Sequence, residues 1–134
     1  MAQTKPVGVL DGVRILEQAR WQAAPRGGMI LRDMGAEVIK IEPADKGDPL
    51  RHWVTDGLSL SWKVYGRNKK SVSLNLREEA GKDILLRLVE QADVMIENYR
   101  PGTLEHMGPG PDVLHGRNPG PVPGTVSAPR RTRP

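Results

Sequence analysis

The sequence predicts an α/β protein, a parallel sheet with helices on its faces, and three patterns predict it. Short apolar runs at residues 13–17 (VRILE), 37–43 (EVIKIEP) and 93–98 (DVMIEN) have the length and composition of buried strands. Between them lie two stretches whose apolar residues recur at helical spacing. A fourth strand segment, KKSVSLNLR, alternates strictly between apolar and polar residues. The resulting order is strand, helix, strand, long loop, strand, helix, strand, which 134 residues build as one domain with a modest core.

The first strand follows the turn-forming pair Asp11-Gly12. Next, Ile30, Leu31 and Met34 fall on one helical stripe, and Gly35 stands where such a helix stops. The second strand ends at Pro43, and the three elements together have the size of a right-handed βαβ unit with parallel strands. Residues 44–67 combine Gly, Asp and Ser with Trp53, Trp62 and Tyr65. That much aromatic surface predicts a long loop folded over the sheet, with a short helix at 59–65. Val72, Leu74 and Leu76 form the buried face of the next strand, opposite Ser71, Ser73 and Asn75. Ile84, Leu85, Leu88, Val89 and Ala92 make the stripe of a second helix, whose first turn holds Glu78 and Glu79, favourable to the helix dipole. The last strand runs into the turn RPG.

Residues 9–107 are thus the α/β region, and residues 108–134 differ in kind. Seven of the 12 prolines lie there, and four arginines against Asp112 account for +3 of the formal net charge of +4. A Pro/Gly/Arg-rich disordered tail is expected. With no aromatic residue between its arginines, nucleic acid is not an expected partner. The absence of cysteine removes disulfides, thiolate nucleophiles and Cys-based metal sites, and it fits a reduced, cytoplasmic setting. His52, His106 and His115 have no metal-ligand spacing, so no metal is expected. No run nears the ~20 apolar residues of a membrane span, so no membrane partner is expected.

Ligands of open parallel sheets bind beyond the carboxyl ends of the strands. That rule selects QARWQAAP, EPADKGDPLR and ENYRPG. Gln22, just before the helix-initiating Pro25, is either a ligand-orienting amide or an exposed loop residue. Asn98 either meets a ligand or caps backbone in its turn. Arg67, Lys69, Lys70 and Arg77 either hold phosphates or are solvated. Glu42 and Asp48 form a candidate acid/base pair, although solvation in a loop explains them more simply. There is neither a Walker A loop nor a GxGxxG after the first strand.

The segments LDGVRILE, GAEVIKIEP followed by GDPLR, NKKSVSLNL, EEAGK and ADVMIENYRPGTLEHMG, in this order over residues 9–119, together resemble the N-terminal region of class III CoA-transferases. This is the family of formyl-CoA transferase and the carnitine and bile-acid CoA-transferases. The resemblance implies a Rossmann-like sheet within a longer chain that forms an interlocked homodimer. It implies transfer of CoA from an acyl-CoA to a carboxylic acid through an aspartyl intermediate, with CoA as substrate and no metal; a related branch holds acyl-CoA racemases. Trp21, Gln22 and Ala23 match the loop beside the thioester, where the glutamine orients the reacting groups. Leu74 and Arg77 match positions flanking the CoA adenine and phosphates, and Asn98 and Tyr99 match the pair that meets the pantetheine arm. Pro43 and His106 stand where some members carry arginine. After RNP the family continues with an apolar strand, a glycine-rich loop and later the nucleophilic aspartate, whereas this sequence reads GPVPGTVSAPRRTRP. The expectation is an N-terminal fragment, its sheet incomplete at the C-terminal end, with an out-of-frame tail and no activity alone.

Overall fold

The computed structural model describes residues 8–120 and, as backbone alone, residues 122–125. Five strands form one sheet: β1 (Arg14–Gln18), β2 (Glu37–Pro43), β3 (Lys70–Leu74), β4 (Val94–Glu97) and β5 (Val122–Thr125). Their order is β3-β2-β1-β4-β5, and every neighbouring pair is parallel. The chain steps outward from β1 to β3 and then crosses back to place β4 on the other side of β1. The order therefore reverses between β1 and β4, the position where such sheets open a crevice for ligands.

The helices are α1 (Ala23–Asp33), α2 (Leu60–Tyr65), α3 (Glu79–Val89), α4 (Thr103–His106) and α5 (Pro111–Arg117), with a 3-10 turn at Pro49–His52. Side chains alternate along each strand, so the sheet has two apolar faces. Leu16, Ile39, Ile41 and Leu74 pack with Leu85 and Val89 of α3, while Ile15, Val38 and Ile96 pack with Ala24 of α1. Burial on both faces is what parallel strands joined by helical crossovers require. α1 stops at Gly35, whose φ of +110° favours glycine and whose absent Cβ would stand 2.8 Å from Gly8 Cα. The short helix expected at 59–65 is α2, where the Ser59 hydroxyl accepts the Trp62 N–H.

From residue 108, where a disordered or out-of-frame tail is expected, the described residues include α5 and β5. Leu114 of α5 and Met107 pack on the α3-side core, and Arg117 pairs with Glu90 at 2.6 Å. The Asn118 side chain donates to the carbonyl of Val89 at 2.9 Å, which also accepts the Ala92 N–H at 3.1 Å, and so ties the chain to the end of α3. Pro123 lies within β5 opposite Met95. As an edge strand β5 has one unpaired side, where a nitrogen without hydrogen is tolerated. Pro121 and residues 126–134, with the rest of the out-of-frame expectation, lie outside the described residues.

α1 crosses β1 at Gly28, where a Cβ would stand 1.9 Å from Glu17 Oε2 and 3.2 Å from Lys69 Nζ. Alanine gains about 1 kcal/mol of helix propensity over glycine. Displacing a buried ion pair costs about 3 kcal/mol or more, so the clash decides the sign. Gly28→Ala should therefore destabilise the protein by about 2 kcal/mol, read as a lower urea midpoint at unchanged slope. An equal or higher midpoint would contradict the packing described here.

Candidate functional site

The strands all end at one edge of the sheet, and the segments that follow them enclose a cavity of ≈ 630 Å³. That volume is typical of small-molecule sites. Gln18 and Arg20 line it from the end of β1, Ile41 to Pro43 from β2, Leu74 and Arg77 from the end of β3, and Tyr99 from the end of β4. Lys46 contributes from the loop after β2. Among the described residues Arg20, Lys46 and Arg77 make no ion pair. Of the two acids on the same wall, Glu42 is paired with Arg51 and Asp45 makes no ion pair among the described residues, so three unpaired cations face one unpaired acid and the cavity carries net positive charge.

The loop that carries Lys46 is held by buried charge. Lys40 Nζ donates to Glu17 Oε1 at 3.0 Å, to the Ala19 carbonyl at 2.7 Å, and pairs with Asp48 Oδ2 at 2.8 Å. Lys69 Nζ donates to the other oxygen of Glu17 at 2.5 Å and to the Pro25 carbonyl at 2.8 Å. Burial pushes the Lys69 ammonium below its ordinary pKa, against the pull of Glu17. Asp48 Oδ1 accepts the Leu50 N–H at 2.9 Å and so starts the 3-10 turn. A second cluster centres on Glu42, which accepts from Arg51 through both oxygens (2.7 and 2.8 Å), from the Ser71 hydroxyl at 2.6 Å and from the Asp48 N–H at 2.8 Å. The Arg51 guanidinium lies 3.8 Å over the Trp62 ring, which lays α2 on the same loop.

The sequence-selected residues divide among three places. Leu74, Arg77 and Tyr99 line the cavity. Trp21, with φ of +64°, stands edge-on to Trp53 (centroids 6.4 Å apart) in a shallow groove across the Lys46–Pro49 loop. Gln22 and Ala23 are exposed at the start of α1, and the Gln22 side chain makes no cap bond. Asn98 faces protein: its Oδ1 accepts the Arg20 N–H at 2.9 Å and its Nδ2 donates to the Arg20 carbonyl at 2.7 Å. That reciprocal pair bridges β1 and β4 just past the point where their ladder ends.

Of the basic cluster only Arg77 is left for a ligand, since Arg67 pairs with Asp33, Lys69 with Glu17 and Lys70 with Glu37. Glu42 and Asp48, the candidate acid/base pair, are the acceptors of the two charge clusters instead. No group of three or more His, Cys, Asp or Glu residues fit to hold a metal occurs among the described residues. The stretches selected from the sequence hold Gln18, Arg20 and Lys46, but none of the three was singled out there. The signal for the first two was the polar ending of an apolar strand, EQAR, at the carboxyl edge of a parallel sheet.

Residues 10–128 match the model of CoA-transferase family III. The chain is 47% identical over 123 residues to succinyl-CoA–D-citramalate CoA-transferase of Chloroflexus aurantiacus, covering 90% of this chain and 31% of that protein. It is 41% identical over 124 residues to a probable fatty acyl-CoA transferase, Rv3272, of Mycobacterium tuberculosis, covering 89% of this chain and 31% of that protein. A crystal structure of Rv3272 superposes with a TM-score of 0.88 at 40% identity, over 97% of this chain and 36% of that one. A CaiB/BaiF family protein from Brucella suis superposes with a TM-score of 0.86 at 33% identity, over 96% of this chain and 35% of that one. The chain thus spans about 31% of the length of these two curated relatives.

Burial pushes the Glu42 carboxyl upward, but the hydrogen bonds from Arg51, Ser71 and the Asp48 amide outweigh it and hold the pKa down at about 2, from an ordinary 4.5. A depressed carboxylate pKa stabilises the fold above its unfolded value, and the stabilisation is lost as pH falls towards 2. For a shift of this size the contribution is on the order of 3 kcal/mol. Urea midpoints should fall steeply between about pH 5 and pH 2 in the parent and less in Glu42→Gln. Parallel profiles for the two would show that Glu42 is not the group responsible.

Proposed function

The chain belongs to CoA-transferase family III, and on that premise we propose that its strand-end cavity takes the CoA portion of an acyl-CoA. One observation carries this reading: three cations without ion-pair partners, Arg20, Lys46 and Arg77, surround a cavity at the edge where parallel sheets bind ligands. CoA brings phosphates for the cations, an adenine for apolar contact, and an amide-bearing arm. In this assignment Leu74 and Arg77 flank the adenine and phosphates and Tyr99 meets the arm. Trp21, Gln22 and Ala23 stand beside the thioester, with Gln22 orienting the reacting groups, and Asn98 acts by fixing the Arg20 backbone.

The reaction assigned to the whole protein moves CoA from an acyl thioester to a carboxylic acid. An aspartate carboxylate attacks the thioester carbonyl and CoA thiolate leaves, giving an aspartyl acyl anhydride. The thiolate then attacks the aspartyl carbonyl, releasing the donor carboxylate and forming an aspartyl-CoA thioester. The acceptor carboxylate attacks that thioester, and the released thiolate adds to the acceptor acyl carbon, restoring the aspartate. The buried acids beside the cavity are already engaged. Glu42 and Asp48 are committed to Arg51 and Lys40, and Asp93 accepts the Arg14 N–H at 2.8 Å. The described residues are therefore assigned CoA binding without transfer. Homodimerisation in the cytoplasm completes the proposal, supported by exposed Trp53, Val54, Leu58, Leu60 and Val64 on one loop and helix.

Titration calorimetry should register CoA binding that weakens as salt is raised. Arg77→Ala should weaken it about tenfold, the loss of one charge-assisted hydrogen bond to phosphate. Incubation with an acyl-CoA and a carboxylic acid should leave CoA on its donor. A flat titration would remove the binding assignment, and measurable exchange would remove the assignment of binding without transfer.

A further inference from the structure

Two neighbouring residues on the cavity wall carry polar atoms without partners. Gln18 is 1% exposed, and neither its amide nitrogen nor its amide oxygen has a hydrogen-bond partner among the described residues. Arg20 Nε, two residues on, is also buried and unpartnered. Residues 18 and 20 share a face of the chain with Leu16, the face on which Ile41, Leu74 and the cavity lie. Gln18 stands opposite Glu97 in the last pair of the β1–β4 ladder, at the point where the strand order reverses. Buried side-chain amides are nearly always hydrogen-bonded. A donor and an acceptor left open together at a ligand crevice point to a ligand that supplies both.

The other polar groups of the cavity decide which part of the ligand this is. Lys46 follows β2 and Arg77 follows β3, and neighbouring strands are about 4.8 Å apart, so β1 lies roughly 10 Å from β3. Phosphates held by Lys46 and Arg77 leave Gln18 to the next portion of CoA, the pantetheine arm. Each amide of that arm offers one N–H and one carbonyl, the complement of what Gln18 lacks.

Resting on the CoA reading above, we propose that Gln18 recognises an amide of the pantetheine arm, its Nε2 donating to the arm carbonyl and its Oε1 accepting the arm N–H. Arg20 Nε supplies a further donor to the same segment. The Arg20 guanidinium lies over the Tyr99 ring at 5.3 Å with no ion pair among the described residues.

The test is titration calorimetry of the chain and its Gln18→Met and Gln18→Leu variants with two probes, CoA and adenosine 3′,5′-bisphosphate, which keeps the nucleotide end and lacks the arm. Both variants should bind CoA about tenfold more weakly and the bisphosphate as the parent does, the loss of one well-placed hydrogen-bonded group. Unliganded, both should melt no lower than the parent, because they remove buried polar atoms without partners. Unchanged CoA affinity overturns the proposal while leaving the CoA reading intact. Equal weakening of both probes, or a lowered melting temperature, assigns Gln18 to the fold and overturns it as well. Failure of the parent to bind CoA removes both.

Discussion

The ammonium of Lys40 sits inside the protein, 2% exposed, between the carboxylates of Glu17 and Asp48. Lys69 reaches Glu17 from the other side, so two cations and two anions share a space closed to water. Isolated charges there would cost several kcal/mol each, and only a complete, neutral set with its hydrogen bonds filled is tolerable. Completeness requires four parts of the chain at once: the end of β1, the middle of β2, the loop after β2, and the residue that precedes β3. The carbonyls of Ala19 and Pro25 accept further hydrogen bonds from Lys40 and Lys69 and tie the cluster to the start of α1. Few arrangements satisfy all of these groups, and the ligand edge of the sheet inherits that restriction.

The consequence for the site is a division of charge. Acids and bases that meet across elements neutralise one another beneath the loop, as Glu17, Lys40, Asp48 and Lys69 do, and Glu42 with Arg51 beside them. Cations that find no acid, Arg20, Lys46 and Arg77, are left around the cavity. On the proposed reading, an anionic ligand meets a surface already shaped by these pairs, with little ordering left to do on binding. Asn98 extends the same principle to the backbone. It holds Arg20 by both peptide groups, where β1 and β4 would otherwise part at the reversal of strand order.

Much of this was legible in the sequence because it follows from local periodicity. The βαβ start, the alternating third strand, the amphipathic α3 and the capped α2 appear where apolar spacing and Ser59 place them. The strand-end rule also led to the edge of the sheet where the cavity lies. Charge pairing was not legible, because Lys69 meets Glu17 from 52 residues away and Arg67 meets Asp33 from 34 residues away. A run of basic residues therefore resembled a phosphate site while two of its members served the interior or the surface of α1. Gln18 lay in a selected stretch but was not singled out, because the apolar run ends at Glu17 whereas the ladder runs one residue further. The order of residues 111–117 and 122–125 escaped because proline and glycine content reports chain freedom and not the contacts of Leu114, Arg117 and Asn118.

The central claim, that the buried Lys40 cluster fixes the loop walling the cavity, is tested most directly by native-state amide hydrogen exchange on Lys40→Met. The amides to follow are those of Asp48 and Leu50, which donate to Glu42 and Asp48. Their protection should fall furthest, ahead of the amides in the β1–β2 ladder, because an uncompensated Asp48 carboxylate leaves the interior and takes the loop with it. If Asp48 and Leu50 keep the parent's protection relative to the sheet, the loop is held by something other than this charge, and the account is wrong.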